Sequence, residues 1–167
     1  SEQFNMLGFE PSNYNKINIH VGGAYGDKES TLNRFCENFH LLNEDTKKRL
    51  VIENDDSPNE FSVKDLFNGV YKRIGIPITF DYFHHKFNTG GLTEEEALKL
   101  ASTTWPEGVT QCCHYSESRR KEKLDESIRP QAHSDIIYNK IQTYGLSPDI
   151  VIEAKLKEQA IFKGPKM

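Results

Sequence analysis

The chain has 167 residues, a formal net charge of −4, 36% hydrophobic residues and 28% charged residues. This composition fits a single soluble domain with a buried core and excludes a disordered or low-complexity chain. No apolar run approaches the roughly 20 residues of a membrane-spanning helix, so no membrane association is expected. The three cysteines lack the spacing of a disulfide scaffold, which favours a reducing, intracellular compartment.

Five apolar, β-branched stretches separated by helical patterns predict five β-strands. In chain order these stretches lie at 16–23, 49–56, 77–85, 108–118 and 148–160. Strands that alternate with helices indicate an α/β fold with a parallel sheet and right-handed crossovers. The spacing fits part of a (β/α)₈ barrel or a doubly wound sheet.

Helical patterns fill the connections between these strands. The predicted N-caps are, in chain order, Ser30, Ser62, Thr93 and Ser134. Glu96 completes a capping box with Thr93, and this third helix is expected to include Trp105. Gly75 and Gly145 stand where the second and fourth helices should end. A short helix is expected after the last strand.

Each predicted strand has a potential metal ligand at or near its C-terminal end, the edge where parallel α/β folds form active sites. These residues are His20, Glu53, Asp81, His84, His114 and Glu153, joined by His133 just before the predicted fourth helix. One strand-end histidine is more often a structural residue, but recurrence at equivalent points of a repeat favours a shared site. We interpret His40 and His85 as surface or core residues.

Imidazole and carboxylate ligands without thiolate suit Mn²⁺, Zn²⁺ or Fe²⁺ better than Ca²⁺ or Mg²⁺. Seven ligands exceed the needs of one ion, so two or more ions sharing a bridging carboxylate are expected. Such a pair can stabilise an in-line phosphoryl displacement, with a water activated by the metal as nucleophile.

Several segments between residues 17 and 160 read, in chain order, INIHVGGAYGDK, LVIENDD, ITFDYFHH, HYSES with AHSDII, and DIVIEAKLKEQA. Together, and in this order, they resemble the UV damage endonucleases of the UvdE family. The resemblance implies a DNA-repair endonuclease that nicks damaged double-stranded DNA 5′ of UV photoproducts, in the cytoplasm or nucleus. It implies divalent metal ions, usually manganese, with zinc or magnesium as alternatives.

The resemblance assigns metal binding to the same seven residues, with Glu53 as the bridging carboxylate. It implies catalytic roles for Glu53, Asp81, His114 and Glu153. Lys155 matches a family lysine that would meet phosphate, although a solvated surface lysine is an equal reading. The family often has a lysine where this chain has Cys112, so any role of that lysine is absent or replaced here.

The resemblance also implies that the chain is part of a larger barrel. Residues 1–16 resemble the end of a preceding helix and its loop, and residues 17–167 resemble strands four to eight of a TIM barrel. Five strands cannot close an eight-stranded barrel, so two sheet edges would be unpaired. We therefore expect a fragment of a longer protein, self-association through the edges or an open sheet, and little activity from the isolated chain.

DNA contact is expected from basic residues after the fourth predicted strand, on the side of the site. These are Arg119, Arg120, Lys121 and Arg129. The surrounding charges are mixed, so a solvated face is the alternative reading. Two other functions also stay open: a xylose-isomerase-like sugar isomerase or epimerase, and a non-catalytic metal-binding fragment.

Overall fold

The structure, a computed structural model, describes residues 1–163 and contains one five-stranded parallel sheet. The strands follow each other in chain order across the sheet: β1 (Ile17–Ile19), β2 (Leu50–Glu53), β3 (Ile78–Asp81), β4 (Cys112–Tyr115) and β5 (Asp149–Ile152). The sheet curls into a half-barrel with β1 and β5 at its edges. The predicted α/β fold with parallel strands is thereby confirmed.

The helices lie between and around these strands. Their bounds are α1 (Glu2–Met6), α2 (Lys28–Phe39), α3 (Glu44–Arg49), α4 (Val63–Leu66), α5 (Lys72–Ile74), α6 (Tyr82–His85), α7 (Glu94–Ser102), α8 (Arg119–Lys123) and α9 (Gln159–Lys163). A π turn at Phe67–Tyr71 joins α4 to α5. In residues 1–163 no helix is long and apolar enough to cross a bilayer. The predicted domain 17–167 ends in four residues that lie outside the described part.

The register of the sheet brings the C-terminal ends of all five strands to one rim. The paired residues include Ile19 with Ile52, Glu53 with Thr79, Asp81 with His114, and Tyr115 with Ile152. Because side chains alternate between the two faces of a strand, residues two apart on each strand share a face. Polar residues at the strand ends are therefore gathered along this rim.

The core lies under β2 and β3, whose residues are buried throughout. A close contact between α2 and the π turn supports this side of the sheet. Gly69 faces Leu32 so closely that an added Cβ would lie 2.5 Å from the Leu32 Cδ1 atom. The Cys36 thiol donates a hydrogen bond to the Gly69 carbonyl oxygen at 3.4 Å. The missing side chain of Gly69 is what allows these two segments to pack together.

The capping predictions hold for the second and third helices. Ser62 and Thr93 each form a complete capping box, and Gly75 ends α5 in the left-handed conformation with φ of 72°. Other details differ from the prediction. Asp27, not Ser30, caps α2, because its carboxylate accepts a hydrogen bond from the Ser30 N–H at 2.9 Å. Trp105 lies beyond the end of α7.

The predicted helix from Ser134 to Gly145 is wrong. Residues 134–147 form turns and extended backbone, and the helix between β4 and β5 is α8 instead. The reason is that backbone N–H groups here donate to carboxylates rather than to carbonyls four residues earlier. Glu117 accepts from the N–H groups of Tyr138 and Asn139, and Glu122 accepts from two others.

Candidate metal site

The third predicted strand ends early, and its last residues form the one-turn helix α6. Asp81 caps this turn, because its Oδ1 accepts hydrogen bonds from the N–H groups of Phe83 at 2.7 Å and His84 at 2.8 Å. The His84 Nδ1 lies 2.8 Å from the backbone oxygen of Asn54, which aims the ring toward the end of β2. The strand-to-helix turn therefore places an acid and an imidazole side by side at the rim.

Glu53 lies at the centre of the polar cluster on this rim, with a side chain only 5% exposed. Its Oε1 is 3.4 Å from His84 Nδ1 and 3.9 Å from His20 Nε2. Its Oε2 is 3.2 Å from His114 Nδ1. One oxygen of the carboxylate thus faces two imidazoles, and the other oxygen faces a third.

Two triads with metal-ligand geometry share this glutamate. The first triad is His20, Glu53 and His84, and the second triad is Glu53, Asp81 and His114. In each triad the ligand atoms lie within 4.8 Å of one another, close enough for one cation to contact all three. A carboxylate common to two such groups is the arrangement required to bridge two divalent ions.

Glu153 and His133 extend the cluster beyond the two triads. The Glu153 Oε1 lies 3.2 Å from His114 Nδ1, and its Oε2 lies 3.8 Å from His133 Nδ1. An antiparallel bridge between Ser118 and His133 and a 2.9 Å contact of His133 Nδ1 with the Glu153 backbone oxygen hold that histidine in place. The structure therefore places all seven predicted ligands in one connected cluster at one rim.

The charges in the cluster are strongly coupled. A hydrogen bond with Asp55 raises the pKa of His20 to about 9. Burial alone would lower the pKa of His114, but contacts with Cys112, Glu153 and Glu53 raise it to about 12.

The carboxylates respond to burial and to these histidines. Burial raises the pKa of Asp81 above its usual range. Burial would also raise the pKa of Glu53, but His114, His20 and His84 lower it overall. These opposing shifts arise because several charged groups are buried together with few other partners.

Two buried atoms of the second triad form no hydrogen bond with the described residues: Asp81 Oδ2, and His114 Nδ1, which lies 3.2 Å from one oxygen each of Glu53 and Glu153 without hydrogen-bond geometry. Asp81 itself is fully buried. Leaving such groups unpaired is unfavourable, and buried polar groups without partners indicate an ion or ligand that completes them. Both residues belong to the second triad, so the donor set fits a divalent cation.

Sequence reasoning did not identify two residues that support the cluster. The side-chain amide of Asn54 bonds both the N–H and the C=O of Asp81, at 2.9 and 3.1 Å. Asp55 Oδ1 lies 2.8 Å from His20 Nδ1. Both follow Glu53 directly in the segment ENDD, but only the register between strands shows what they contact.

The predicted DNA-contacting residues lie on α8 and in the loop after it. Arg119 pairs with Asp135 at 3.6 Å, Arg120 with Glu126 at 2.9 Å, and Arg129 with Asp56 at 3.6 Å. Lys121 is exposed and has no ion-pair partner among the residues described.

Lys121 lines a cleft of about 460 Å³ together with Lys86, Phe83 and Phe87. Phe83 connects this cleft to the metal cluster, because its ring centroid is 5.6 Å from that of His133.

The remaining candidates lie apart from these contacts. Lys155 is exposed, and its backbone N–H donates a hydrogen bond to the Ser134 carbonyl oxygen at 2.9 Å. His85 is buried with its ring 5.4 Å from the Phe80 ring, and His40 is exposed at the end of α2. The structure thus places His85 in the core and His40 on the surface.

Comparison with known proteins places this geometry in a family. The family model of UV-endonuclease UvdE matches residues 1–166. The UV-damage endonuclease of Schizosaccharomyces pombe is 38% identical over 87% of this chain and 24% of that protein. The UV DNA damage endonuclease of Bacillus pumilus is 38% identical over 88% of this chain and 46% of that protein.

A solved structure described as "Crystal Structure of SacUVDE" superposes with a TM-score of 0.77 at 36% identity. The match covers 94% of this chain and 50% of that one, so the chain spans half or less of each of these relatives. The family match over nearly the whole chain and the superposition agree with the half-barrel fold. The chain belongs to the UV-endonuclease UvdE family.

Proposed function

We propose that this chain carries the metal-binding part of a DNA-repair endonuclease that nicks DNA 5′ of UV photoproducts. The observation that carries the proposal is Glu53, whose two carboxylate oxygens face two separate ligand triads. The relatives that match the chain are named UV damage endonucleases, which supports the choice of substrate. Such an enzyme would act wherever the DNA is, in the cytoplasm or nucleus.

The proposed ligands divide between the two ions according to the triads. His20 and His84 would hold one ion and Asp81 and His114 the other, while Glu153 and His133 would complete the set. Bound divalent ions, which we propose to be Mn²⁺, with Zn²⁺ or Mg²⁺ as alternatives, would activate water and stabilise developing charge on phosphate. The protein side chains hold this geometry: Asn54 fixes Asp81, and Asp55 fixes the ring of His20.

A test of the site uses incision of supercoiled plasmid. The chain completed with the part of the Bacillus pumilus relative that lies outside the match should nick UV-irradiated plasmid in the presence of Mn²⁺ more than unirradiated plasmid, and EDTA should abolish the nicking. Glu53→Gln should reduce incision by at least about 100-fold, because it removes a charge between the two ions. Sugar isomerisation, assayed as ketose formation from an aldose, should be absent from the same preparation.

We further propose that the five strands correspond to strands four to eight of an eight-stranded barrel. The isolated chain should then incise slowly, and fusion to the part of the Bacillus pumilus relative outside the match should raise the rate by at least tenfold. Full activity of the isolated chain would contradict the fragment hypothesis. Because the outer edges of β1 and β5 pair with no other strand within residues 1–163, light scattering should show self-association of the isolated chain; a monodisperse monomer would contradict this.

Phosphate contact is proposed for the basic residues of α8 and the following loop. Arg119, Arg120, Lys121 and Arg129 lie on the rim side, and Lys121 is exposed beside the cleft that adjoins the cluster. A Lys121→Ala, Arg129→Ala double variant should weaken binding to damaged and undamaged duplex alike. It should also reduce the slope of log binding constant against log salt concentration by about two, roughly one for each lost phosphate contact. Lys48→Ala, on α3, is the control. A loss confined to damaged DNA would contradict a phosphate role.

Lys155 is proposed to contact phosphate as well. Its exposed position just after Glu153 supports this role. Lys155→Met should lower incision in the fused protein while Mn²⁺ binding stays unchanged. An unchanged rate would identify it as a solvated surface lysine.

A further inference from the structure

Asn18 contacts the central glutamate from the edge strand. It lies on β1, two residues before His20, which follows the strand directly. In the register of β1 and β2, Asn18 pairs with Val51, which lies two residues before Glu53. The side-chain amide of Asn18 therefore lies one step below the carboxylate of Glu53, and its Nδ2 donates a hydrogen bond to Glu53 Oε2.

This bond distinguishes the two oxygens of Glu53. Oε2 accepts from Asn18 and lies 3.2 Å from His114, in the second triad. Oε1 has no contact with Asn18 and lies between His84 and His20, in the first triad. Because the two oxygens are chemically equivalent, the bond fixes the plane of the carboxylate: turning this plane would break the bond to Asn18 and move both oxygens away from their triads. The amide thus favours one rotational state of the bridging group.

We propose that Asn18 is a positioning residue that fixes the Glu53 carboxylate so that each oxygen faces its own cation. The inference rests on the proposed two-ion site and adds a residue to it. Asn18 does not contact an ion itself; it acts through Glu53.

The chemistry of position 18 supports this role. The Oδ1 of Asn18 is buried without a hydrogen-bond partner among the described residues, and burying an unpaired oxygen is unfavourable. A side chain that only filled this space would not need a polar group. An apolar β-branched residue would suit the strand better. An aspartate would place a second negative charge against Glu53. A neutral amide donates a hydrogen bond to the carboxylate and leaves its negative charge available to a cation.

The test measures Mn²⁺ binding to the chain itself, from the loss of the electron paramagnetic resonance signal of free aqueous Mn²⁺. The unmodified chain should bind two ions. Asn18→Leu should weaken binding of one ion by about 10-fold or more, the usual effect of removing a group that orients a ligand, while the other ion changes less. The ratio of the two affinities is the readout, because general loss of structure would lower both.

Two controls match the change. Thr79→Val removes a buried hydroxyl beside Glu53 in the register that makes no hydrogen bond to it. Asn13→Leu removes an amide that bonds the Leu50 carbonyl on the same strand as Glu53. Both should bind two ions with the affinities of the unmodified chain. If Asn18→Leu fails to fold, Asn18→Ala removes the same bond with less bulk.

The outcomes separate the inference from the proposed function. Two ions bound with unchanged affinities by an Asn18 variant would overturn the role of Asn18 and leave the metal site intact. An equal loss in Thr79→Val would also overturn it. Failure of the unmodified chain to bind Mn²⁺ would overturn both.

Discussion

Two regions of the molecule are stabilised in different ways. β2 and β3 are buried completely and covered by helices, so this part of the fold depends on apolar packing. The connection between β4 and β5 contains only the short helix α8, and two carboxylates, Glu117 and Glu122, bind its backbone. Packing energy is distributed over many contacts, whereas the loop depends on single acceptors. The comparison shows why one region follows hydrophobic periodicity and the other does not.

The largest effect is expected in the packed region. Phe80 is fully buried on β3, 4.7 Å from the ring of Tyr82 between centroids. Phe80→Ala should lower the free energy of unfolding by about 3–5 kcal/mol, because it removes buried apolar surface and leaves a cavity. Urea denaturation would measure this. Val151→Ala on the edge strand, where the residue is 47% exposed, is the matched control and should cost less than about 1 kcal/mol. Equal losses would contradict the comparison.

The loop should respond to one residue, Glu117. Its carboxylate accepts hydrogen bonds from the hydroxyl of Tyr115 at 2.8 Å, from the side chain of Asn139 at 2.8 Å and from two backbone N–H groups. Glu117→Leu should cost about 2–4 kcal/mol, because these donors lose their acceptor. Protease cleavage within residues 134–147 should also become faster. Glu126→Leu, an exposed acid in the same loop, should change neither; similar sensitivity of both variants would refute the special role of Glu117.

A smaller effect tests α4, the helix that follows β2 in the chain. Ser62 caps α4 in a capping box with Asp65. Ser62→Ala should cost about 1 kcal/mol, since N–H groups at the helix start lose their acceptor. Ser30→Ala is the control, because Ser30 lies within α2 and does not cap it. Thermal melting followed by circular dichroism would show the difference, and an equal loss in both variants would argue against the capping role.

The smallest effect concerns acid pH. Burial would raise the pKa of Asp65, but hydrogen bonds from Ser62 and Lys28 lower it overall. Because the pKa of Asp65 is lower in the folded state, its carboxylate stabilises the fold at pH values above its unfolded pKa of 3.8. This contribution is lost as the pH falls through the folded pKa. Asp65→Asn should therefore flatten the acid limb of the stability curve measured by urea denaturation between about pH 5 and 2.5. A curve parallel to that of the unmodified chain would show that the carboxylate is not responsible.

The contrast between the regions also decides what the sequence could predict. Apolar stretches and capping residues correctly predict β2, β3 and the helix from Ser62 to Gly75, because local pattern and packing agree there. Within residues 134–147 the apolar pattern correctly indicates a buried side chain, Ile137, but the predicted helix is wrong. Carboxylates distant in the chain bind its N–H groups, and no local pattern records that. The short helix α3 carries no apolar stripe and was not predicted.

The site shows the same division. Residue type and position at strand ends predict which side chains meet at the rim, because the ends of parallel strands lie together. The contacts made by Asp55, Asn54 and Asn18 depend on the register between strands, which the sequence alone does not fix.

The contact between Gly69 and Leu32 ties the spacing of the proposed ligands to a position far from them in the chain. α2 directly follows the loop after His20, while the segment containing Gly69 follows the one after Glu53. A side chain at residue 69 would force Leu32 to rotate or the two segments to separate, and separation would draw β1 away from β2. If the segments separate, Gly69→Ala would widen the gap between His20 and Glu53 without touching either residue. The spacing of the proposed ligands therefore also depends on packing at the outer, helical side of the half-barrel.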